Sequence, residues 1–175
     1  MTEKEFEHTI MPLAENVYSY AVNMLGNPDD AADITQDVMA KLWETRHQLH
    51  SMESPKAWAL RMTRNLCLDH LKRRRPILDE EAVIRNGGFA DDLQRQVEAK
   101  DMADIVRQII DTLPDNQREV LLLREVQEME FDEIARITGL GLNNIRTLLS
   151  RGRAKVKEAL KLNKYNDFET WRYEN

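Results

Sequence analysis

Apolar residues recur three and four positions apart through most of this 175-residue chain, and one long interruption breaks the pattern between residues 76 and 94. That spacing belongs to amphipathic helices, and no stretch shows the strict alternation of a half-buried strand. The interruption contains "ILDEEAVIRNGGFADD" at 77–92, where a Gly87-Gly88 pair, acidic residues and weak periodicity mark a linker. The expected fold class is therefore all-α, with two small helical domains over 1–75 and 95–162. A flexible linker over 76–94 joins them, and a tail over 163–175 closes the chain. Local signals divide each unit further. Asn27 and Pro28 have the character of a helix cap and first helical residue. Ser54-Pro55 opens another helix after the loop "HSMESP", and Thr112-Leu113-Pro114-Asp115 separates two more.

Charge is distributed unevenly along this helical chain. It holds 31 acidic and 25 basic residues, a net charge of −6. Residues 56–75 nevertheless carry Lys56, Arg61, Arg64, Lys72, Arg73, Arg74 and Arg75 against Asp69 alone. Residues 141–164 carry Arg146, Arg151, Arg153, Lys155, Lys157, Lys161 and Lys164 against Glu158 alone. Two islands of +6 leave −18 for the remainder. One cationic island falls in each domain, an arrangement suited to two contacts with a polyanion. The acidic remainder repels nucleic acid and suits a basic protein partner. No stretch reaches the ~20 apolar residues of a membrane helix. The start, "MTEKEFEHTI", lacks the basic-then-apolar order of a signal peptide. A single cysteine, Cys67, excludes an internal disulfide framework. The expected location is the cytoplasm.

The stretch "FDEIARITGLGLNNIRTLLSRGR" at 131–153 has the mechanics of a helix-turn-helix. Ala135 supplies a small residue where two helices cross, Gly139 a turn residue free to be left-handed, and Ile145 an inward anchor. With Ile145 inward, Asn143, Asn144, Thr147 and Arg151 fall on the outer side, flanked by Arg146 and Ser150. Asparagine can bond adenine edges, and arginine can bond guanine or phosphate. In "PKAWALRMTRNLCLDHLKRRR" at 55–75, Ala59, Met62, Leu66, Cys67 and Leu71 share an apolar face. Arg61, Arg64, Asn65 and Lys72 lie opposite. Trp58 stands at the edge, either as core or as a platform for an unpaired base. Upstream, in "DDAADITQDVMAKLWE", Ala32, Thr35 or Ile34, Val38, Met39 and Leu42 form an inward face. Asp33, Gln36 and Asp37 are left for an external partner.

These motifs, in this order and spacing, resemble bacterial RNA polymerase sigma factors. "NPDDAADITQDVMAKLWE" resembles the core-polymerase-binding helix of the second conserved region, and "PKAWALRMTRNLCLDHLKRRR" the promoter-melting helix after it. "LPDNQREVLLLREVQEMEFDEIARITGL" with "NNIRTLLSRGRAKVKEAL" resembles the fourth region. The short linker points to the two-domain extracytoplasmic-function (ECF) group. The resemblance implies that Asp33, Gln36 and Asp37 face the clamp helices of core RNA polymerase. It implies that Trp58, Arg61, Arg64, Asn65 and Lys72 serve the minus-ten element, where a flipped base enters a pocket shaped by the loop around 50–56. It implies that Asn143, Asn144, Arg146, Thr147 and Arg151 read the minus-thirty-five element as duplex, while the linker runs toward the RNA exit path. It also implies an anti-sigma partner. Two positions depart from the family pattern: Gly141 where Ser or Thr usually caps the recognition helix, and Leu148 where arginine is common.

Neither island makes more than a few phosphate contacts, which salt weakens steeply. A polymerase that fixes their separation makes the second contact intramolecular. The reading requires no catalytic residue, metal or cofactor. Two alternatives compete with it. One is a stand-alone helix-turn-helix regulator, which leaves the first island idle. The other is a metalloprotein built on His47, His50, Cys67 and His70, against which Cys67 falls on an apolar face. Tyr165, Phe168, Trp171 and Tyr173 in the tail either pack back on the second domain or serve an inhibitor.

Overall fold

The computed structural model describes residues 1–74 and 102–162, and all the regular elements among them are helical. The first unit consists of α1 (Glu3–Thr9), α2 (Leu13–Leu25), α3 (Pro28–Glu44), the short α4 (Arg46–Leu49) and α5 (Pro55–Arg74). Thr2 and Glu5 form a capping box: the Thr2 N–H donates to Glu5 Oε2 at 2.7 Å, and Glu5 N–H to Thr2 Oγ1 at 3.3 Å. Helix α2 stops at Gly26 in the left-handed conformation (φ 65°). Asn27 then caps α3, its Oδ1 accepting from the Asp29 and Asp30 N–H groups at 2.9 and 3.2 Å. Pro28 fills the first helical position, and the two aspartates meet the positive end of the helix dipole. Ser54 Oγ accepts from Ala57 N–H to start α5. The capping chemistry expected at both sites is present.

Helices α2, α3 and α5 pack against one another and bury Val17, Ala21, Ala31, Ile34, Val38, Leu42, Ala59 and Cys67, with Phe6 of α1, Ile10 and Leu49 closing the ends. On α3 the inward alanine is Ala31; Ala32 and Met39 are only half-buried. Thr63 is fully buried, and its hydroxyl is satisfied by donating to Ala59 O at 2.8 Å.

The second unit runs through α6 (Met102–Asp111), α7 (Asp115–Leu121), a π-helical turn (Leu122–Val126), α8 (Phe131–Thr138) and α9 (Leu142–Leu162). Its core gathers Leu113, Val120, Leu121, Leu123, Met129, Ile134, Ile137, Ile145 and Leu149. The expected helix-turn-helix is present as α8, a three-residue turn and α9. Gly139 is left-handed at φ 77°, and its N–H donates to Ala135 O at 2.8 Å. Ile145 is fully buried. Ile145 N–H also donates to Gly141 O at 3.0 Å, which puts Gly141 at the cap of α9. The linker and tail assignments over 76–94 and 163–175 lie outside the described residues.

The two cores meet on α5. Tyr20 of α2 and Ala57 and Leu60 of α5 belong to the apolar cluster of the second unit, and α5 packs along α8. Helix α5 therefore buries two faces rather than the single one expected. Ala59, Thr63 and Cys67 point into the first core, and Ala57 and Leu60 into the second.

Four measurements follow from these packing details. Gly139→Ala should destabilise the second unit by about 1–2 kcal/mol in thermal unfolding, the cost of a left-handed residue with a Cβ. Gly141→Ser should stabilise by a few tenths of a kcal/mol, because a cap oxygen is gained and a Cβ there meets no atom within 4 Å. Burial pushes the Cys67 thiol up to about 12 from an ordinary 9.0. Below pH 9 the thiol is neutral in folded and unfolded chains alike. Above it the unfolded chain loses its proton first, so stability should fall as pH rises from 9 toward 12. At pH 8 the folded thiol should react with a maleimide at least roughly a thousandfold more slowly than the urea-unfolded one, in proportion to its thiolate fraction.

Candidate nucleic-acid and polymerase interfaces

Three exposed strips carry most of the expected site residues. The first lies on α3, where Asp33, Gln36 and Asp37 are all exposed at three- and four-residue spacing. Between α3 and α5, Asp30, Asp33, Asp37, Asp69, His70 and Arg73 line a shallow cavity of about 140 Å³. Arg74 Nη1 closes on Asp30 Oδ2 at 2.8 Å. His70 Nε2 stands 3.3 Å from the same oxygen without making a hydrogen bond. Two carboxylates of the strip, Asp33 and Asp37, have no ion pair inside the chain among the described contacts and remain open to a basic surface.

The second strip lies on α5. Trp58, Arg61, Asn65 and Lys72 are exposed and, at 100° per residue, fall within one narrow sector of the helix. Trp58 is 36% exposed, so its ring is not core. Beside it a cavity of about 170 Å³ is lined by Met52, Glu53, Ser54, Trp58 and Arg61 of the first unit and by Arg136 of α8. An aromatic face and a guanidinium at such a cavity can stack on and charge-pair with an unpaired nucleotide.

Arg64 does not join this strip. It lies one turn beyond Leu60 and two beyond Ala57, on the face that α5 turns to the second unit. There Arg64 Nε donates to Glu119 Oε1 at 2.7 Å, and the Tyr20 hydroxyl donates to the same oxygen at 2.6 Å. Burial alone works against the Arg64 charge, but the hydrogen bond and the charge of Glu119 outweigh it and hold the guanidinium protonated above its ordinary range. Burial, followed by the Glu119 carboxylate, pushes the Tyr20 phenol well above 10.0. Tyr20, Leu60 and Glu119 were not singled out from sequence. The available signal was Ala57, Leu60 and Arg64 at three- and four-residue spacing, which argues for a second inward face.

The third strip lies on α9. Asn143, Asn144, Arg146, Thr147 and Arg151 are exposed, as are Lys155 and Lys157. Arg146 is restrained by Asn143 Oδ1 at 3.4 Å and lies over the Phe131 ring, 5.6 Å from its centroid. Arg124 stands over the same ring at 5.1 Å. Leu148 is half-buried and packs on the second core. Arg153 is paired with Glu125, so the island presents fewer open cations than its sequence charge suggests. Cys67 is buried while His47 and His50 are exposed, and among the described residues no group of three His, Cys, Asp or Glu side chains is assembled for a metal.

Two helical units, each with an exposed cationic strip and the second with a helix-turn-helix, define a nucleic-acid-binding protein with two separate readers. Comparison with known proteins fits that class. The family models for Sigma-70 region 2 and Sigma-70 region 4 match residues 10–77 and 103–156, together well over half the chain. The ECF RNA polymerase sigma factor SigW of Bacillus subtilis is 24% identical over 160 residues, 84% of each chain. The ECF RNA polymerase sigma factor EcfG of Rhodopseudomonas palustris is 26% identical, covering 91% of this chain and 87% of its own. Among solved structures, the sigma factor RpoE in complex with the anti-sigma factor NepR from Bartonella quintana shares the fold. Its TM-score is 0.72 at 23% identity, over 92% of this chain and 99% of that one. The chain belongs to the sigma-70 family, in its ECF group.

Proposed function

We propose that this sigma factor binds core RNA polymerase through the α3 strip and directs promoter recognition, melting and transcription initiation through the α5 and α9 strips. The observation that carries the assignment is spatial. Two exposed cationic strips sit on two helical units, and a third strip of unpaired carboxylates and an amide lies on the outer side of the first unit. Asp33, Gln36 and Asp37 would meet a basic helical surface of the polymerase. Trp58, Arg61, Asn65 and Lys72 would hold the unpaired strand of the minus-ten element, with the cavity beside Trp58 taking an extruded base; Arg64 would join them once free of Glu119. Asn143, Asn144, Arg146, Thr147 and Arg151 would enter the major groove of the minus-thirty-five element. The half-buried Leu148 acts in the hairpin core, where the family commonly has an arginine.

The energetics assign each part a job. Flipping a base costs a few kcal/mol. Stacking on an aromatic returns about 1–3 kcal/mol per base. The remainder has to come from phosphate contacts made simultaneously at both strips, which only a fixed separation allows. The chain itself makes and breaks no covalent bond in this scheme. It acts in the cytoplasm beside the polymerase, under the control of an anti-sigma protein. Among the described residues no helix is long and apolar enough to cross a membrane.

The test is run-off transcription with core polymerase on a promoter library. The triple substitution Asp33→Ala, Gln36→Ala and Asp37→Ala should reduce both holoenzyme assembly and transcription at least tenfold while leaving the circular dichroism spectrum unchanged. Unaltered assembly would remove the α3 assignment. Lys155→Ala should weaken holoenzyme binding to all promoters alike and reduce the slope of log K against log salt by about 1, as expected when one phosphate contact is lost. Tight, specific duplex binding by the purified chain without polymerase would favour a stand-alone regulator instead.

A further inference from the structure

Arg146 does not owe its exposure to its position on α9. It lies about 100° or more around the helix from each of Asn144, Thr147 and Arg151, and about 60° from the buried Leu149. Its side chain therefore leaves the helix at the border of the core. From there it can fold back along its own unit or extend beside the outer residues. The course it takes runs over the ring of Phe131, the first residue of α8, with the guanidinium carbon 5.6 Å from the ring centroid. Arg146 Nη1 also donates to Asn143 Oδ1 at 3.4 Å.

The ring is a fixed platform. Phe131 is half-buried and packs on the core of the second unit. A second guanidinium, that of Arg124, stands over it at 5.1 Å, but this one is committed to protein. Arg124 Nη1 donates to Met129 O at 2.8 Å and lies 3.2 Å from Glu130 Oε2. The carboxylate next to Phe131 in sequence is thus already engaged. Among the described contacts no carboxylate pairs with Arg146. The difference matters, because a ring attracts a guanidinium through its quadrupole and takes up none of its N–H groups. A carboxylate in the same place would hold the side chain and cancel its charge.

We propose that Phe131 is a positioning residue for minus-thirty-five recognition: its ring steers the Arg146 guanidinium along the edge of α9 and presents it, still charged and with its donors largely free, to duplex DNA. The inference rests on the reading of α9 given above and deepens it. Phe131 needs no contact with DNA for this. It removes rotamer freedom from Arg146 before DNA arrives, so less is lost on binding. Holding one long side chain in place in this way is worth about a three- to tenfold gain in affinity. Leucine or methionine at position 131 would fill the same space on the core and offer the guanidinium no quadrupole.

The experiment is a double-mutant cycle on holoenzyme, formed from core polymerase and the full-length chain, binding a labelled promoter fragment selected from the run-off library. Phe131→Leu should weaken binding about three- to tenfold. In a chain already carrying Arg146→Ala, the same change should alter binding less than twofold, since the residue it acts through is gone. Phe131→Tyr, which keeps the ring, should bind within twofold of the unaltered chain. A role in packing alone would cost the same in both backgrounds, and that result would overturn the inference. So would undiminished binding by Phe131→Leu with Arg146 in place. Thermal unfolding checks that each variant is folded, and Phe131→Met enters the same cycle if Phe131→Leu is not. Asn144→Ala is read alongside. If Asn144→Ala and Arg146→Ala both leave promoter binding unchanged, the reading of α9 falls and the inference with it. If both weaken binding while Phe131→Leu does not, the inference alone falls.

Discussion

The double burial of helix α5 is the constraint on which the rest of the arrangement depends. One helix supplies Ala59, Thr63 and Cys67 to the first core and Ala57 and Leu60 to the second. Two buried sectors leave the remaining side of α5 to solvent, a polar strip flanked by the exposed Asp69 and Arg73. Trp58, Arg61, Asn65 and Lys72 occupy that strip. The proposed reading surface is thus what remains after packing is satisfied on both sides. Arg64 falls just outside it, at the edge of the second sector, and its charge has to be met by protein. Glu119 meets it, and Tyr20 completes the coordination of the carboxylate.

Much of this architecture was legible in the residues. The helix stops and starts at Gly26, Asn27, Pro28 and Ser54 follow from backbone preferences that act locally. So does the turn at Gly139, where a left-handed residue was required by two helices meeting at a steep angle. The exposed positions of α9 followed from fixing Ile145 inward. The contact between units was not legible in the same way. Its partners are separated by 55 residues for Arg64 and Glu119 and 99 for Tyr20 and Glu119, and no periodicity links them. The weaker signal was that Ala57 and Leu60 fit neither the apolar face assigned to α5 nor a polar one. Trp58 could not be decided from spacing, because a tryptophan beside a helix start serves a core or a ligand equally well.

Electrostatics divide the labour between the strips. Lys155, Lys157 and the outer residues of α9 remain open, while Arg153 is neutralised by Glu125. The late island is therefore trimmed to a strip rather than spread over the unit. The early island is trimmed in its middle by Glu119 at Arg64 and near its end by Asp30 at Arg74. An acidic chain can present two compact cationic surfaces because its carboxylates neutralise the cations that lie off the reading lines. Asp33 and Asp37 on α3, without an internal ion pair among the described contacts, form the surface proposed here for a different and basic macromolecule.

The π turn over Leu122–Val126 has a consequence for how this protein tolerates change in length. A π turn accommodates about one residue more than an α-helical path through the same space. Deleting that residue would restore a regular helix and swing every following side chain by about 100° around its axis. Gln127 would then point away from Asn16, and Met129 would leave the core it shares with Ile134 and Ile145. The register of a five-residue stretch thus sets both the seam between the two units and the core of the second.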